Sequence, residues 1–422
     1  MTPSDSREEK SSHIAFPVSI FFLALIVRLV FVHFFSSPPV NDLLWNDAVG
    51  WNLANGNGYT ASQSEPFVPG IFRTPGYPFF LAAVYFLFGH SVTAVYVAQA
   101  VMDSFSAVLL YWMALRYVNA RVAQLTGLLY SLYPYPAIFC GVLHQDILLV
   151  FVTVLFLFVL TRGMMHFASS WRWFLVGALV GFSALVRANF VLFPLVPFGT
   201  VLFSGTTKSQ KARMLSLVTI GFIFIFLPWV ARNYFVFDRF PIVATGGLGT
   251  GLMRVEEELR GEDPLLKRSH KPPKRDLKGF LDGIDSIVLE KERARKAISV
   301  LKRHWPQYCL VMLKHIPRLW LTKYSVWHGY LVRVSGIVIS WVVLILGLAG
   351  MFLLRRQWLR LLPFYLTIVT VTLIHIPYIV EARYTLPARP AMLLFVAYTL
   401  ASAFDAVRSK RLIESGSMSS PS

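Results

Sequence analysis

The sequence predicts an all-α, polytopic membrane protein, and two observations carry that prediction. Hydrophobic residues fill 55% of the 422 positions and charged residues only 15%, and long apolar runs recur along the whole chain. The charges that remain fall in short clusters between those runs. A formal net charge of +18 therefore reads as loops held in the cytoplasm, not as a nucleic-acid surface. No soluble stretch interleaves Lys or Arg with aromatics, so nucleic acid is not expected as a partner. The two cysteines, Cys140 and Cys309, lie far apart in the chain and indicate no disulfide framework.

A polar tail, residues 1–13, leads into a first span, Ile14 to Phe35, broken only by Arg28. No small-residue cleavage site follows, so the span is expected to be a retained helix. Residues 36–90 are too polar for lipid and are expected to form an outer loop. Within that loop LLWNDAVGWNLA has the look of a helix. Thr74 followed by Pro75 reads as the capped start of another. The apolar run after it ends near Phe88, about 20 Å along at 1.5 Å per residue, and is expected to be interfacial or re-entrant.

Further spans are expected at about 91–115, 122–140, 146–162, 173–187, 190–204, 215–233, 328–354, 361–380 and 385–404. With the first, these make ten crossings in a bundle of about 10–12 transmembrane helices. Basic clusters at Arg116/Arg121, Arg162/Arg172, Lys208/Lys211/Arg213, Arg355/Arg356/Arg360 and Arg408/Lys410/Arg411 mark alternate loops. They place both termini in the cytoplasm and loops 36–90, 141–145, 187–189, 234–327 and 381–384 outside. The organisation is then a tail (1–13), an N-terminal membrane module (14–233), an outer region (234–327), C-terminal membrane helices (328–404) and a cytoplasmic tail (405–422). In the outer region KPPKRD reads as linker. The stretch from Leu289 to Trp305 reads as an amphipathic helix with Ile298, Leu301 and Trp305 on one side. No internal repeat is visible, which leaves an inverted-repeat transporter without support.

The candidate chemistry lies on the outer side. Asp42, just past the first span, is placed to act as a general base toward an acceptor hydroxyl; the plainer alternative is a helix cap. Asp47 is about 140° further round the same helix, so the two carboxylates share no face. Arg73, ahead of a helix N-terminus, suits a phosphate, or it snorkels to headgroups. Arg187, Arg232, Arg383 and Arg389 all map to outer ends of spans, against the cytoplasmic bias of the other cations. As a set they suit an anionic lipid phosphate; singly, a salt bridge such as Arg383 with Glu381 accounts for one. Arg28 within the first span fits the same logic or a structural contact. Asp146 opens a span as a cap or an acceptor-site residue, and with His144 it forms a weak metal-ligand pattern. GGLGTG at 246–251 lacks the Lys-Ser/Thr ending of a phosphate loop and reads as a flexible loop.

The order NDAVGWNLANGNGY, TPGYPFF, PWVARNYFVF and ARYTLP resembles the GT-C glycosyltransferases that use polyprenyl-phosphate sugars. Relatives of that kind are dolichyl-phosphate-mannose protein mannosyltransferases and the aminoarabinose transferases of lipid A. The resemblance implies Asp42 as the catalytic residue and Asp47 as a second acidic position. It places Arg73, Arg232 and Arg383 near the donor phosphate, and Tyr77 and Tyr384 lie inside the shared motifs. The sequence departs from the family at Leu43 and Asn46, lacks the Asp-Glu pair and has Asp146 where Glu is common. No cofactor is assigned, and a divalent metal stays an open option.

The expected activity is inverting transfer of a sugar from a polyprenyl-phosphate donor to a lipid, glycan or protein hydroxyl. The alternative is a transporter or lipid flippase. Short termini and the lack of any Asn-X-Ser/Thr sequon lean toward a bacterial inner membrane, with membrane lipids as surroundings and the site facing the periplasm or exterior.

Overall fold

The structure, a computed structural model, describes residues 3–40, 42–238, 244–245, 248–261, 283–321, 330–378 and 380–417. Among the described residues the chain forms sixteen α-helices and no strand. Six helices among the described residues are long and apolar enough to cross a membrane, and four shorter apolar segments accompany them. The chain is an integral membrane protein.

Helix α1 (Pro3–Phe35) packs on α4 (Val92–Tyr117), α5 (Ala120–Leu132) and α6 (Pro134–Cys140). A fully buried ion pair fixes this group. Arg28 Nε donates to Asp103 Oδ2 at 2.8 Å, Arg28 Nη1 and Nη2 donate to Ser131 O and Tyr130 O, and the Tyr130 hydroxyl donates to Asp103 Oδ1. Arg28 is thus a structural contact of the bundle, and it stays charged in an apolar interior because a carboxylate and two carbonyls replace its water.

The predicted span 122–140 is two helices. Tyr133, preceding Pro134, is forced into an extended conformation (φ −71°, ψ 114°) and ends α5. Span 190–204 is likewise a short 3-10 turn (Ala188–Leu192) followed by α9 (Leu195–Leu202). Helix α7 (Asp146–Met165) leads to α8 (Ser170–Val186), which meets the 30-residue α10 (Lys208–Phe237) backbone to backbone. Glycines allow that approach: a Cβ on Gly177 would stand 2.0 Å from Val218 O, and one on Gly221 2.1 Å from Phe174 O.

The loop after α1 carries α2 (Asp42–Ala54) packed on α3 (Gly76–Phe88). Thr74 does not cap α3. Pro75 precedes the helix with no side-chain cap bond, and the Thr74 hydroxyl donates instead to Val186 O at 2.9 Å, tying this loop to the end of α8.

The stretch between α10 and the C-terminal helices forms α11 (Leu248–Leu259), α12 (Gly283–Arg303) and α13 (Trp305–Leu321) around Leu252, Val255, Ala297, Leu301, Tyr308 and Val311. Leu301 lies on the buried side of α12 as expected, together with Ala297, whereas Ile298 is exposed; Trp305, also exposed, opens α13 because α12 ends at Arg303. Part of GGLGTG is helical, because α11 begins at Leu248. The KPPKRD stretch lies outside the described residues. Helices α14 (Tyr330–Leu353), α15 (Leu362–His375) and α16 (Arg389–Ser417) complete the chain, with a 3-10 segment Ala382–Ala388 leading into α16.

Candidate active site

The loops expected on one side of the membrane converge. The α2–α3 loop reaches the end of α8 through Thr74 and Val186. Residues 144–146 reach the 3-10 segment before α16, and Arg232 at the end of α10 donates to Gly70 O at 3.0 Å. Two charged groups result.

In the first group Arg73 donates to Asp42, the opening residue of α2. The two side chains are 27% and 33% exposed, so the pair is open to a ligand from outside. Arg73 Nε is buried without a hydrogen-bond partner, and its guanidinium lies 4.9 Å from the Phe72 ring centroid. Behind it, Tyr59 donates its hydroxyl to Arg73 O at 2.8 Å. Arg232 sits among the rings of Tyr59, Trp229 and Phe237 at 5.1 to 5.5 Å. Arg232 therefore braces the turn that carries Arg73.

In the second group Asp146 is fully buried at the start of α7. Arg187 Nη2 donates to Asp146 Oδ1 at 2.5 Å, and His144 Nδ1 stands 2.9 Å from Oδ2, off the line of a well-formed hydrogen bond. Arg383 donates through Nη1 to His144 Nε2 at 3.2 Å, and its Nε lies 2.8 Å from Glu381 Oε2. An arginine has only donors, so His144 Nε2 accepts and the ring proton is left to Nδ1, on the Asp146 side. Burial presses the His144 pKa down against the opposing pull of Asp146, which keeps the ring neutral in this role. Tyr384 lies under both cations, 4.9 Å from Arg187 and 5.7 Å from Arg383, and stacks on His375 at 5.0 Å. Arg187 Nη1 is buried with no hydrogen-bond partner.

The two groups are neighbours through the Thr74–Val186 bond. Arg73 and Arg187 each follow or precede one of those residues, which bounds their Cα separation at about 15 Å. Asp47 has other partners than Asp42, as the helical rotation predicts. It accepts from the Tyr85 hydroxyl at 2.5 Å and lies 3.0 Å from His90 Nε2. Tyr77 is buried, donating to Gln99 Oε1. Arg389 is 1% exposed inside the bundle, bonded to Thr385, Tyr133, Ser340 and Trp320 O.

His144, Glu381 and His375 entered the sequence reading as metal candidate, salt-bridge partner or not at all. Only their juxtaposition gives them a place. A divalent cation does not suit these residues. Asp42 and Asp146 each face an arginine, so a cation there would meet positive charge, and no cluster of three His, Cys, Asp or Glu with metal-site spacing occurs among the described residues.

The chain is similar to known proteins. The family model described as dolichyl-phosphate-mannose-protein mannosyltransferase matches residues 72–231, a stretch that holds Arg73, Asp146 and Arg187 but not Asp42. The archaeal oligosaccharyltransferase AglB from Archaeoglobus fulgidus, in complex with an inhibitory peptide and a dolichol-phosphate, matches with a TM-score of 0.56 at 11% identity. That match covers 96% of this chain and 52% of AglB. Its apo form gives a TM-score of 0.59, again at 11% identity over 96% and 52%. ArnT from Cupriavidus metallidurans bound to undecaprenyl phosphate matches at 16% identity over 91% and 77%, with a TM-score of 0.45. The chain spans about half the length of the AglB structures. No curated protein sequence matches it significantly. With almost the whole chain aligned to AglB, the architecture is assigned: this protein has the GT-C fold.

Proposed function

We propose that the protein is a membrane glycosyltransferase that moves a sugar from a polyprenyl-phosphate donor to a hydroxyl acceptor on the extracytoplasmic side, with inversion. The observation that carries this reading is a partly exposed carboxylate, Asp42, paired with Arg73, with two buried arginine nitrogens that lack acceptors, Arg73 Nε and Arg187 Nη1, in neighbouring segments. A lipid phosphate leaves with growing negative charge on its oxygens. Fixed guanidinium donors stabilise that charge without reorganising. A phosphate oxygen arriving at Arg187 Nη1 displaces no protein acceptor, because none is there.

At rest Arg73 is spent on Asp42. A donor phosphate competes for Arg73 and frees the carboxylate. Asp42 then takes the acceptor proton as the hydroxyl oxygen bonds to the anomeric carbon, and the carbon–oxygen bond to phosphate breaks with its electron pair going to the phosphate. Asp146 and His144 hold Arg187 and Arg383 in place rather than exchanging protons with substrate. The donor class is supported by the fold relative's dolichol-phosphate complex and by the family description. The acceptor is a lipid, glycan or protein hydroxyl, and the setting is a bacterial inner membrane.

The test is to incubate the purified protein with a panel of labelled polyprenyl-phosphate sugars and membrane extract, comparing wild type with Asp42→Asn. Label transfer by the wild type alone supports the reading. Normal transfer by Asp42→Asn removes the base assignment. Solute uptake in proteoliposomes without sugar transfer favours transport instead.

A further inference from the structure

At the opposite end of the bundle α4 and α7 part around a cavity of about 450 Å³. Its wall includes Trp112, Leu115, Phe158 and Met165, with Arg116 and Arg162 beside them. Thr161, also on the wall, is roughly 22 Å beyond Asp146 along α7 at 1.5 Å per residue. The cavity is therefore separate from the site described above.

We propose that this cavity holds the phosphate headgroup of an anionic phospholipid, with the acyl chains lying along the apolar wall of α4 and α7. Among the described residues the cations there have no carboxylate partner. Arg116 Nε donates to Met165 Sδ at 3.4 Å, a thioether and a weak acceptor. The Arg162 guanidinium lies over the Phe158 ring at 5.2 Å. A third guanidinium is tied to the same place: Arg360 Nη2 donates to Arg116 O at 3.0 Å and its head lies 5.8 Å from the Tyr117 ring.

The sequence supplies nothing to neutralise them locally. Between Asp103 and Asp238 the only acidic residue is Asp146, at the far end of α7. Three like charges around one cavity repel unless an anion enters, and a phosphate diester meets that need. The apolar wall between two membrane-spanning helices selects a lipid over a free anion, because inorganic phosphate gains nothing from Trp112 or Phe158. Arginines that merely snorkel would face the headgroup layer without selecting among its lipids.

The experiment uses the full chain in detergent. Phosphatidylglycerol or phosphatidylcholine is added, and retained lipid is read by native mass spectrometry, with inorganic phosphate as competitor. The expected result is retention of phosphatidylglycerol over phosphatidylcholine, weakened about fivefold for each arginine removed in Arg116→Gln and Arg162→Gln. Should the double variant fail to fold, Arg162→Gln alone carries the comparison, since Arg162 is exposed. Equal retention by wild type and variants, or equal retention of the two lipids, overturns the proposal. Displacement of the lipid by millimolar inorganic phosphate also overturns it, in favour of a free-anion site. None of these outcomes depends on sugar transfer.

Discussion

Arg73 donates to Asp42, joining the turn ahead of α3 to the first residue of α2. The other carboxylate of α2, Asp47, is turned to Tyr85 and His90. One short helix thus presents two acids to two different surroundings, and their substitutions should separate.

Asp42→Asn is expected to lower the rate of transfer by roughly 10²- to 10⁴-fold, the usual worth of a positioned general base. The protein should remain folded and inserted. Asp47→Ala should keep transfer within about tenfold and instead lower stability by about 1–3 kcal/mol, because the Tyr85 hydroxyl loses its acceptor. Parallel rate measurements and thermal melts decide the matter. The reverse ranking of rates would move the base to Asp47.

Arg73→Gln frees Asp42 and removes a cation together. The expected outcome is a donor KM raised roughly ten- to a hundredfold, the worth of a charge-assisted hydrogen bond, with a smaller fall in kcat. Steady-state kinetics with varied donor concentration measure the split. A donor KM that stays at the wild-type value would seat the phosphate away from Arg73.

The Arg28–Asp103 pair is expected to matter for stability alone. Asp103→Ala strands a buried guanidinium and should cost about 3–5 kcal/mol, whereas Arg28→Met with Asp103→Leu should recover most of that loss. A double-mutant cycle on thermal unfolding reads the coupling. A coupling energy near zero would show that the two residues do not act as a unit.

Helices α11 and α13 carry a pH dependence through Glu258 of α11. This carboxylate accepts from Arg318 and lies 3.0 Å from His315 Nε2, while His315 Nδ1 lies 2.8 Å from Ile376 O just past α15. Burial pushes the Glu258 pKa up, but the hydrogen bond and charge of His315 and then those of Arg318 outweigh it and hold the group below its usual range. A depressed carboxylate pKa means that the unfolded chain binds the proton more readily. The stabilisation is complete above the unfolded value near 4.3 and is lost as pH falls through the folded one. Hydrogen exchange of α11 and α13 should therefore accelerate as pH drops below about 4.3, after correction for intrinsic rates, and Glu258→Gln should flatten that step. A step of the same size in Glu258→Gln would assign the acid sensitivity to another group.

Much of the arrangement was legible because lipid imposes simple rules. Apolar runs near twenty residues become helices, and basic clusters mark alternate loops. The same rules single out Arg187, Arg232, Arg383 and Arg389, because cations at ends where cations are disfavoured stand out, yet Arg389 is spent on contacts inside the bundle. The finer points were not legible. Thr74 before a proline reads as a cap, yet its hydroxyl finds Val186 O across the bundle, since a distant carbonyl left open by the end of α8 competes for it. On α12 the small Ala297 buries fully where α11 packs closely while its neighbour Ile298 stays exposed, and Trp305 falls off this helix because the chain turns at His304 and Trp305 opens α13.

By itself the sequence determined the all-α class and the membrane character, since both follow from local hydropathy and charge. Tertiary structure alone decided who faces whom. That Asp103 neutralises Arg28, that His144 stands between Asp146 and Arg383, and that Arg187 keeps one N–H unspent are matters of distance between segments tens to hundreds of residues apart. No local pattern encodes such pairings, because electrostatic pairing in a low-dielectric interior depends on ångström separations that only packing sets.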